Sequence, residues 1–159
     1  MPDARLDLAP AMLMDDLERL ADSLHSAPPA LVLIGRRHVR SNNSWMHNLA
    51  TLQGGKRRCT LLVHPEDAAR HGLADGASVR VRSRVGSLVA PVEITDDMRP
   101  GVVSLPHGWG HDEAGANLRR AASDPGVNTN LLTDDLELDP LSGTSVLNGI
   151  PVEITAADV

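Results

Sequence analysis

Apolar positions recur with a helical period only in the first part of this chain. Over residues 9–25 one stripe of leucines repeats every three or four positions: Leu13, Leu17, Leu20 and Leu24. Pro10 suits a first helical turn, and the prolines at positions 28 and 29 end the pattern. The spacing predicts a helix that packs as a flap on the body or belongs to a preceding segment, with partner binding as a weaker option.

From residue 30 onward the apolar runs are short and separated by turn residues, which indicates strands. The predicted strands are 30–34, 59–63, 77–82, 88–94, 102–105 and 150–154. The third and fourth flank Gly86 and predict a hairpin, and residues 65–71 predict one short helix that ends before Gly72. Six short strands with few helices are typical of a small closed barrel, so the fold is predicted to be mainly β.

A long polar region between residues 106 and 149 interrupts this pattern. A loop of that length in a compact domain is either functional or disordered. Its apolar residues, among them Leu131, Leu132 and Leu141, favour an ordered segment.

Composition limits the chain to one domain with an aliphatic core. It has 159 residues and 42% apolar residues, with two Trp and neither Phe nor Tyr. Trp45 and Trp109 stand in polar surroundings, which suits a ligand surface or packing under a loop equally well. Cys59 is the sole cysteine, so this chain cannot form an internal disulfide or supply an iron–sulfur cluster, and a buried, inert thiol is expected.

Charge is distributed unevenly. The net charge is −6, which argues against a general nucleic-acid binder. Residues 23–65 contain no Asp or Glu but six arginines and lysines, whereas acids concentrate in residues 112–139. We expect either one anion-receptive face on an acidic body or two ordinary solvated faces.

No targeting or membrane signal stands out in the sequence. The start lacks a basic region followed by an apolar core, and no run approaches the roughly 18 apolar residues of a membrane span. The expectation is a cytoplasmic chain without a membrane partner.

The most informative segment is residues 35–48, which follows the first predicted strand. It holds three arginines, two histidines, three asparagines and two serines, and no acid. Arginine forks match phosphate oxygens bidentately, and asparagine, serine and main-chain N–H groups add neutral hydrogen bonds. The segment predicts an anion site.

Two later segments carry further polar groups. In residues 104–111, Gly108 and Gly110 could let a ligand approach the main chain, or could simply form turns. His107 and His111 have a zinc spacing only if they lie on a helix, which the glycines disfavour, and a third ligand is not obvious. Asn128 and Asn130 could read the amide edge of a purine or pterin, although asparagine is also a common turn residue.

Catalytic motifs are missing from the sequence. It has no Gly-x-Gly-x-x-Gly, no Walker loop and no Gly-x-Ser-x-Gly elbow. Ser41 and Ser44 lie near His38 and His47, but the whole stretch lacks a carboxylate to complete a triad. The residues therefore predict a polyanionic, heterocyclic ligand and no complete catalytic set.

Four blocks in order are similar to the C-terminal domain of the molybdopterin oxidoreductases, the superfamily of formate dehydrogenases, nitrate reductases and dimethyl sulfoxide reductases. The blocks lie at residues 31–48, 62–81, 101–111 and 128–143, and the resemblance spans about residues 30–155. It implies a six-stranded double-psi β-barrel at 29–159, with a few short helices and an N-terminal helical extension or linker at 1–28.

The resemblance also implies a ligand, the bis(molybdopterin guanine dinucleotide) cofactor with Mo or W, shared with domains outside this chain. By position, the expected binding residues are Gly35, Arg36, Arg37, Arg40, Ser41, Asn42, His107, Gly108, Trp109 and Asn128. Arg36 and Arg40 are expected at the diphosphate, and Ser41 and Asn42 at a pterin edge.

The family's metal ligand and cluster cysteines lie in other domains, and Cys59 is in the wrong block to be that ligand. The resemblance therefore implies an excised or separately encoded domain that is inactive alone and whose partners are the remaining domains of a parent oxidoreductase. The alternatives are a stand-alone carrier or insertion module for the same cofactor and a small nucleic-acid-binding β-barrel. The nucleic-acid-binding alternative is disfavoured by the scarcity of aromatic residues. A small hydrolase or decarboxylase would need a nucleophile set that is not visible.

Overall fold

A computed structural model describes residues 6–112, 115 and 117–157. Residues 1–5 of the predicted extension and 158–159 of the predicted domain therefore lie outside the described residues. The strands are β1 (Val32–Arg36), β2 (Leu61–Val63), β3 (Ser78–Arg82), β4 (Ser87–Ile94), β5 (Val102–Pro106), β6 (Ile150–Pro151) and β7 (Glu153–Ala156). The helices are α1 (Ala11–Leu24), α2 (Ala50–Gln53), α3 (Pro65–Arg70), α4 (Arg119–Ala122) and the 3-10 helix Thr129–Leu132.

The seven strands form one curled sheet in the order β6-β1-β5-β2-β4-β3-β7. β1 runs parallel to β5 and β2 parallel to β4, while the β2–β5 and β3–β4 pairs are antiparallel. The fold is thus mainly β, and β3 and β4 form the predicted hairpin around Gly86.

The last strand segment is divided in two, which makes seven strands where six were predicted. β6 pairs with β1, and β7 pairs with β3 at the opposite end of the strand order. Only Val152 separates β6 from β7, and its N–H donates to the Leu31 carbonyl at 3.1 Å. The segment 150–156 therefore reaches both edges of the sheet.

The core is aliphatic, as composition predicts. In β3, Val79 and Val81 are fully buried while Arg80 and Arg82 are exposed, so the alternation in the sequence follows the pleat. The other buried side chains of the core come mainly from the remaining strands, among them Leu33, Leu61, Val63, Leu88, Val92, Val103, Leu105 and Ile154. Burial of this apolar surface is the main stabilising contribution.

Helix α1 lies within the predicted range 9–25, but it does not pack as a flap. None of its residues is buried, and the four leucines of its stripe are exposed. The flap interpretation is therefore wrong for the chain as described. No helix in the described part of the chain is long and apolar enough to cross a membrane.

The long polar region is ordered by short elements, namely α4, the 3-10 helix and a bridge between Leu138 and Ser145. Of the three expected apolar anchors only Leu132 is buried, whereas Leu131 and Leu141 are exposed. Arg84 forms a bidentate ion pair with Asp134, and its hydrogen bonds lower the pKa of that carboxyl to about 2. This pair joins the hairpin turn to the polar region.

Candidate functional site

The parallel pairing of β1 with β5 sets the position of the site. Their register places Arg36 opposite Pro106, so the segments that follow both strands leave from the same end of the sheet. The His107 N–H donates to the Arg36 carbonyl at 2.9 Å. The basic loop 37–48 and the segment 107–111, two of the sequence-predicted clusters, are therefore neighbours.

Gly108 and Gly110 allow other parts of the protein to approach their main chain closely. Gly108 has φ +85°, and a Cβ there would lie 2.6 Å from the carbonyl carbon of Asn43. Gly110 has φ +99°, and a Cβ there would lie 2.6 Å from Cβ of Asn128. They bring the basic loop and the Asn128 segment together on either side of Trp109. Both glycines nevertheless line a pocket, so the expectation that a ligand approaches the main chain here stays a prediction.

The basic loop is built around a tight turn. Asn42 and Asn43 have φ values of 41° and 63°, in the left-handed region that asparagine tolerates. Ser41 is buried, and its hydroxyl donates to the His38 carbonyl at 2.9 Å. Arg37 donates to the side-chain carbonyl of Asn43. The Ser41 hydroxyl, expected at a pterin edge, is thus used inside the turn, while Asn42 is exposed.

Arg36 is engaged by main-chain carbonyls. Its guanidinium donates to the carbonyl oxygens of Ser104 at 2.5 Å, Thr60 at 2.7 Å and Arg58 at 3.1 Å. Burial lowers the pKa of Arg36 below its usual range. The side chain holds β1, β5 and the approach to β2 together. Its expected role at a diphosphate is therefore not what this geometry supports.

Arg37 and Arg40 remain the accessible cations of the loop. Both are exposed, and the guanidinium of Arg40 makes no ion pair with any residue that the structure describes. Arg37 lines a pocket, whereas Arg40 and Asn42 stand outside it.

Two pockets lie beside these segments, and His107 and Asn130 line both. The first pocket, of about 140 Å³, is also lined by Gly35, Arg36, Arg37 and Asn148. The second pocket, of about 280 Å³, is also lined by Ser44, Gly108, Trp109, Gly110, His111 and Asn128. The structure thus brings together seven of the ten predicted binding residues. Arg40, Ser41 and Asn42 line neither pocket.

Asn148 is a site residue that sequence reasoning missed. Its side-chain oxygen accepts a hydrogen bond from the Gly35 N–H at 2.7 Å, across 113 residues of sequence. The available signal was the Asn148-Gly149 turn directly before the last predicted strand. Pairing of β6 with β1 is what carries this turn to Gly35.

The two tryptophans have different environments. Trp45 is 80% exposed, whereas Trp109 is 5% exposed and packs against Gly126, which also lies beside Cys59. Packing under a loop is therefore the correct interpretation for most of the Trp109 ring. Cys59 is buried, its sulfur accepts from the Val127 N–H at 3.3 Å, and burial raises its pKa, so the expected burial of the thiol is confirmed.

A buried histidine contact lies behind the second pocket. His47 is 1% exposed, its Nδ1 lies 2.5 Å from Nε2 of His111, and its ring centroid lies 4.2 Å from that of Trp109. Burial, and then the neighbouring His111, lower the pKa of His47 to about 4. Among the residues that can be described, no group of three or more His, Cys, Asp or Glu is placed to hold a metal ion.

Mild acid is expected to destabilise the fold through His47. The unfolded chain binds this proton near pH 6.5 and the folded chain only near pH 4, so stability is complete above pH 6.5 and falls as the pH drops toward 4. The lowered pKa of His47 corresponds to about 3 kcal/mol in the free energy of unfolding. Urea unfolding of the wild type and of His47→Leu between pH 8 and 4 measures it. A stability difference between the two that does not change with pH would contradict the expectation.

Comparison with known proteins identifies the class. Residues 31–151 match the family described as "Molydopterin dinucleotide binding domain". The match includes most of the sheet and both pockets, so the fold and the site both lie within a cofactor-binding domain. The chain belongs to the molybdopterin dinucleotide-binding domain family.

The relatives are much longer proteins. A tetrathionate reductase polypeptide of Salmonella typhimurium is 30% identical over 109 residues, which are 58% of this chain and 11% of that protein. Dimethyl sulfoxide/trimethylamine N-oxide reductase of Rhodobacter capsulatus is 31% identical over 102 residues, 62% of this chain and 12% of that protein. The chain thus spans about a ninth to an eighth of these relatives.

A solved structure shows the same fold. Acetylene hydratase from Pelobacter acetylenicus superimposes with a TM-score of 0.66 at 24% identity, covering 91% of this chain and 20% of that one. The arrangement of strands is therefore that of a domain within a larger protein.

Proposed function

We propose that this chain is the domain of a larger molybdopterin-dependent oxidoreductase that binds the bis(molybdopterin guanine dinucleotide) cofactor. The observation that carries the proposal is the convergence of three family blocks on two pockets that share His107 and Asn130. The chain's own cysteine is buried and lines neither pocket, so residues of other domains would hold the metal, Mo or W. Those domains are the partners of this chain, which is inactive alone.

We also propose that the sheet is the six-stranded double-psi β-barrel of the family. The support is the segment 150–156, which pairs with β1 through β6 and with β3 through β7. Counted as one bent strand, it reduces seven strands to six and joins the two edges of the sheet.

The donor chemistry of the site fits such a ligand. Arg37 and Arg40 are exposed and offer bidentate contacts to diphosphate oxygens. The Asn128 side-chain oxygen accepts from the Asn130 N–H, which leaves its amide N–H₂ for an acceptor on a heterocycle. When bound, the cofactor supplies two-electron redox chemistry at its metal. The residues of this chain bind and orient it.

Arg37→Ala combined with Arg40→Ala is expected to lower cofactor content without unfolding the domain. Each lost charge-assisted contact weakens binding by about 1.5 kcal/mol or more, so the pair should reduce affinity at least about 100-fold. The measurement is the metal and guanine nucleotide content of the native protein, purified with all of its domains or partner chains. Thermal unfolding is recorded in parallel.

The matched control is Arg80→Ala combined with Arg82→Ala, which removes two exposed cations from β3. It keeps the same net charge as the test variant and should retain cofactor. Normal metal and nucleotide content in the Arg37/Arg40 variant would count against the proposal. The mass of the native polypeptide separates an oxidoreductase domain from a stand-alone carrier of the same cofactor.

A further inference from the structure

His47 and His111 form a pair in which His47 is buried and His111 reaches the second pocket. Nδ1 of His47 and Nε2 of His111 are hydrogen-bonded at 2.5 Å, with the rings edge-on at 85°. The other nitrogen of His47, Nε2, is buried without a partner among the described residues. His111 is partly exposed and lines the second pocket. Because its Nε2 faces His47, its Nδ1 is the nitrogen left for a ligand.

The proton between the two rings can belong to either histidine, and burial decides which. If His111 donates, neutral His47 must carry its own proton on Nε2, where a buried N–H would have no acceptor. If His47 donates from Nδ1, its Nε2 is a bare nitrogen instead. Orphaned buried N–H groups are rare in proteins because they forfeit a strong hydrogen bond.

Trp109 strengthens this choice. Its Nε1–H is also buried without a partner among the residues described, and its ring is centred 4.2 Å from that of His47. A proton on Nε2 of His47 would put two unpaired donors into one buried contact. With a bare Nε2, the indole N–H is the one unpaired donor of that contact among the described residues.

We propose that His47 is a positioning residue that fixes His111 in its Nδ1–H form, and that His111 is a further ligand-binding residue of the second pocket. Nε2 of His111 then accepts a hydrogen bond from the Nδ1–H of His47, and Nδ1–H of His111 is a neutral donor for the ligand. The group it recognises is a hydrogen-bond acceptor, either a carbonyl or phosphate oxygen or an unprotonated ring nitrogen of the cofactor. This inference rests on the proposed function for the identity of the ligand.

The buried ring of His47 stays neutral for a physical reason. A charged His47 would carry an orphaned N–H⁺, and the depressed pKa of His47 agrees with that cost. The neighbouring residues His111, Arg58 and His38 also disfavour a positive charge on His47. Asp124 favours that charge, but its effect is smaller than that of His111 or Arg58. His47 is therefore neutral at pH 7, and it acts on His111 through the direction of its hydrogen bond rather than through charge.

The tautomers can be measured directly on the 159-residue chain. A long-range ¹H–¹⁵N spectrum at pH 7 distinguishes protonated from bare ring nitrogens for each histidine. We expect His47 and His111 both neutral and both protonated at Nδ1. A proton on Nε2 of His111, or a charged His111, would overturn the assignment regardless of any cofactor.

Variants test whether the hydrogen bond from His47 to His111 matters for cofactor binding. His47→Asn keeps an amide donor where Nδ1 stands, whereas His47→Leu removes it with similar volume. In the native protein with its other domains, His111→Leu and His47→Leu should lower the guanine nucleotide content about five- to tenfold, the equivalent of one hydrogen bond. His47→Asn should restore it. His71→Gln, an exposed histidine at the end of α3, serves as control.

The outcomes separate this inference from the function on which it rests. Wild-type protein that holds no cofactor in its native assembly overturns the proposed function and the ligand role of His111 together. Wild-type protein that holds cofactor, with His111→Leu holding as much, overturns only the ligand role of His111. Loss in His47→Leu that His47→Asn does not restore overturns the positioning role, provided both variants keep the wild-type unfolding temperature.

Discussion

Gly108→Ala is expected to destabilise the protein by about 2–5 kcal/mol and to separate the loops that form the second pocket. Gly108 has φ +85°, which an L-residue adopts at a cost of about 1–2 kcal/mol. The added methyl would also lie 2.6 Å from the carbonyl carbon of Asn43 and 3.1 Å from the Ser44 nitrogen. Those are main-chain atoms, so the turn at Asn43 must move, at a further cost of about 1–3 kcal/mol.

Gly76→Ala is the matched control for this prediction. Gly76 has φ +76°, but a Cβ there meets no atom within 4 Å, so only the backbone term applies. We expect it to cost about 1–2 kcal/mol. Urea unfolding of the two variants isolates the effect of close approach. Equal losses of stability would show that the contact between Gly108 and the basic loop is not tight.

Arg36→Ala is expected to have the second large effect, a loss of about 3–5 kcal/mol. The substitution removes a charged donor from the carbonyl oxygens of Ser104, Thr60 and Arg58, and each unpaired buried acceptor costs about 1–3 kcal/mol. Arg36→Lys should recover little of this, because one ammonium group cannot span three carbonyls as the planar guanidinium does.

Arg40→Ala, four residues further along, is the control for Arg36. Arg40 is exposed, so its loss should change stability by no more than about 0.5 kcal/mol. Thermal or urea unfolding of the 159-residue chain measures both variants. An Arg36→Ala protein as stable as Arg40→Ala would disprove the structural role and return Arg36 to the ligand site.

Local patterns in the sequence predicted the local parts of the fold. Alternation of Val79 and Val81 with Arg80 and Arg82 identified a strand, and Pro65 and Gly72 bounded a helix, because these signals depend on neighbours in sequence. The absence of Phe and Tyr predicted an aliphatic core from composition alone. The division of the last strand at Val152 was missed, since it depends on two distant pairing partners.

The sequence predicted many of the residues that form the candidate site, but not which way their side chains point. The sequence shows that Arg36, Arg37 and Arg40 are cations in one loop, yet it does not show which of them points inward. Only the pairing of β1 with β5 puts the Ser104 carbonyl within reach of Arg36. The contact of His47 with His111 spans 64 residues and has no local signature. Long-range pairing therefore accounts for most of what the sequence could not predict.

The segment 150–156 is synthesised after the two strands with which it pairs, β1 and β3, and this order has a physical consequence. β1 and β3 each have one neighbour before this segment emerges from the ribosome, because β6 and β7 are its two halves. Until then both strands present unpaired N–H and C=O groups, which other chains can capture by edge-to-edge association. Association through Val32–Arg36 and Ser78–Arg82 is therefore a hazard of the nascent chain, which ends once residues 150–156 have emerged and paired with both strands.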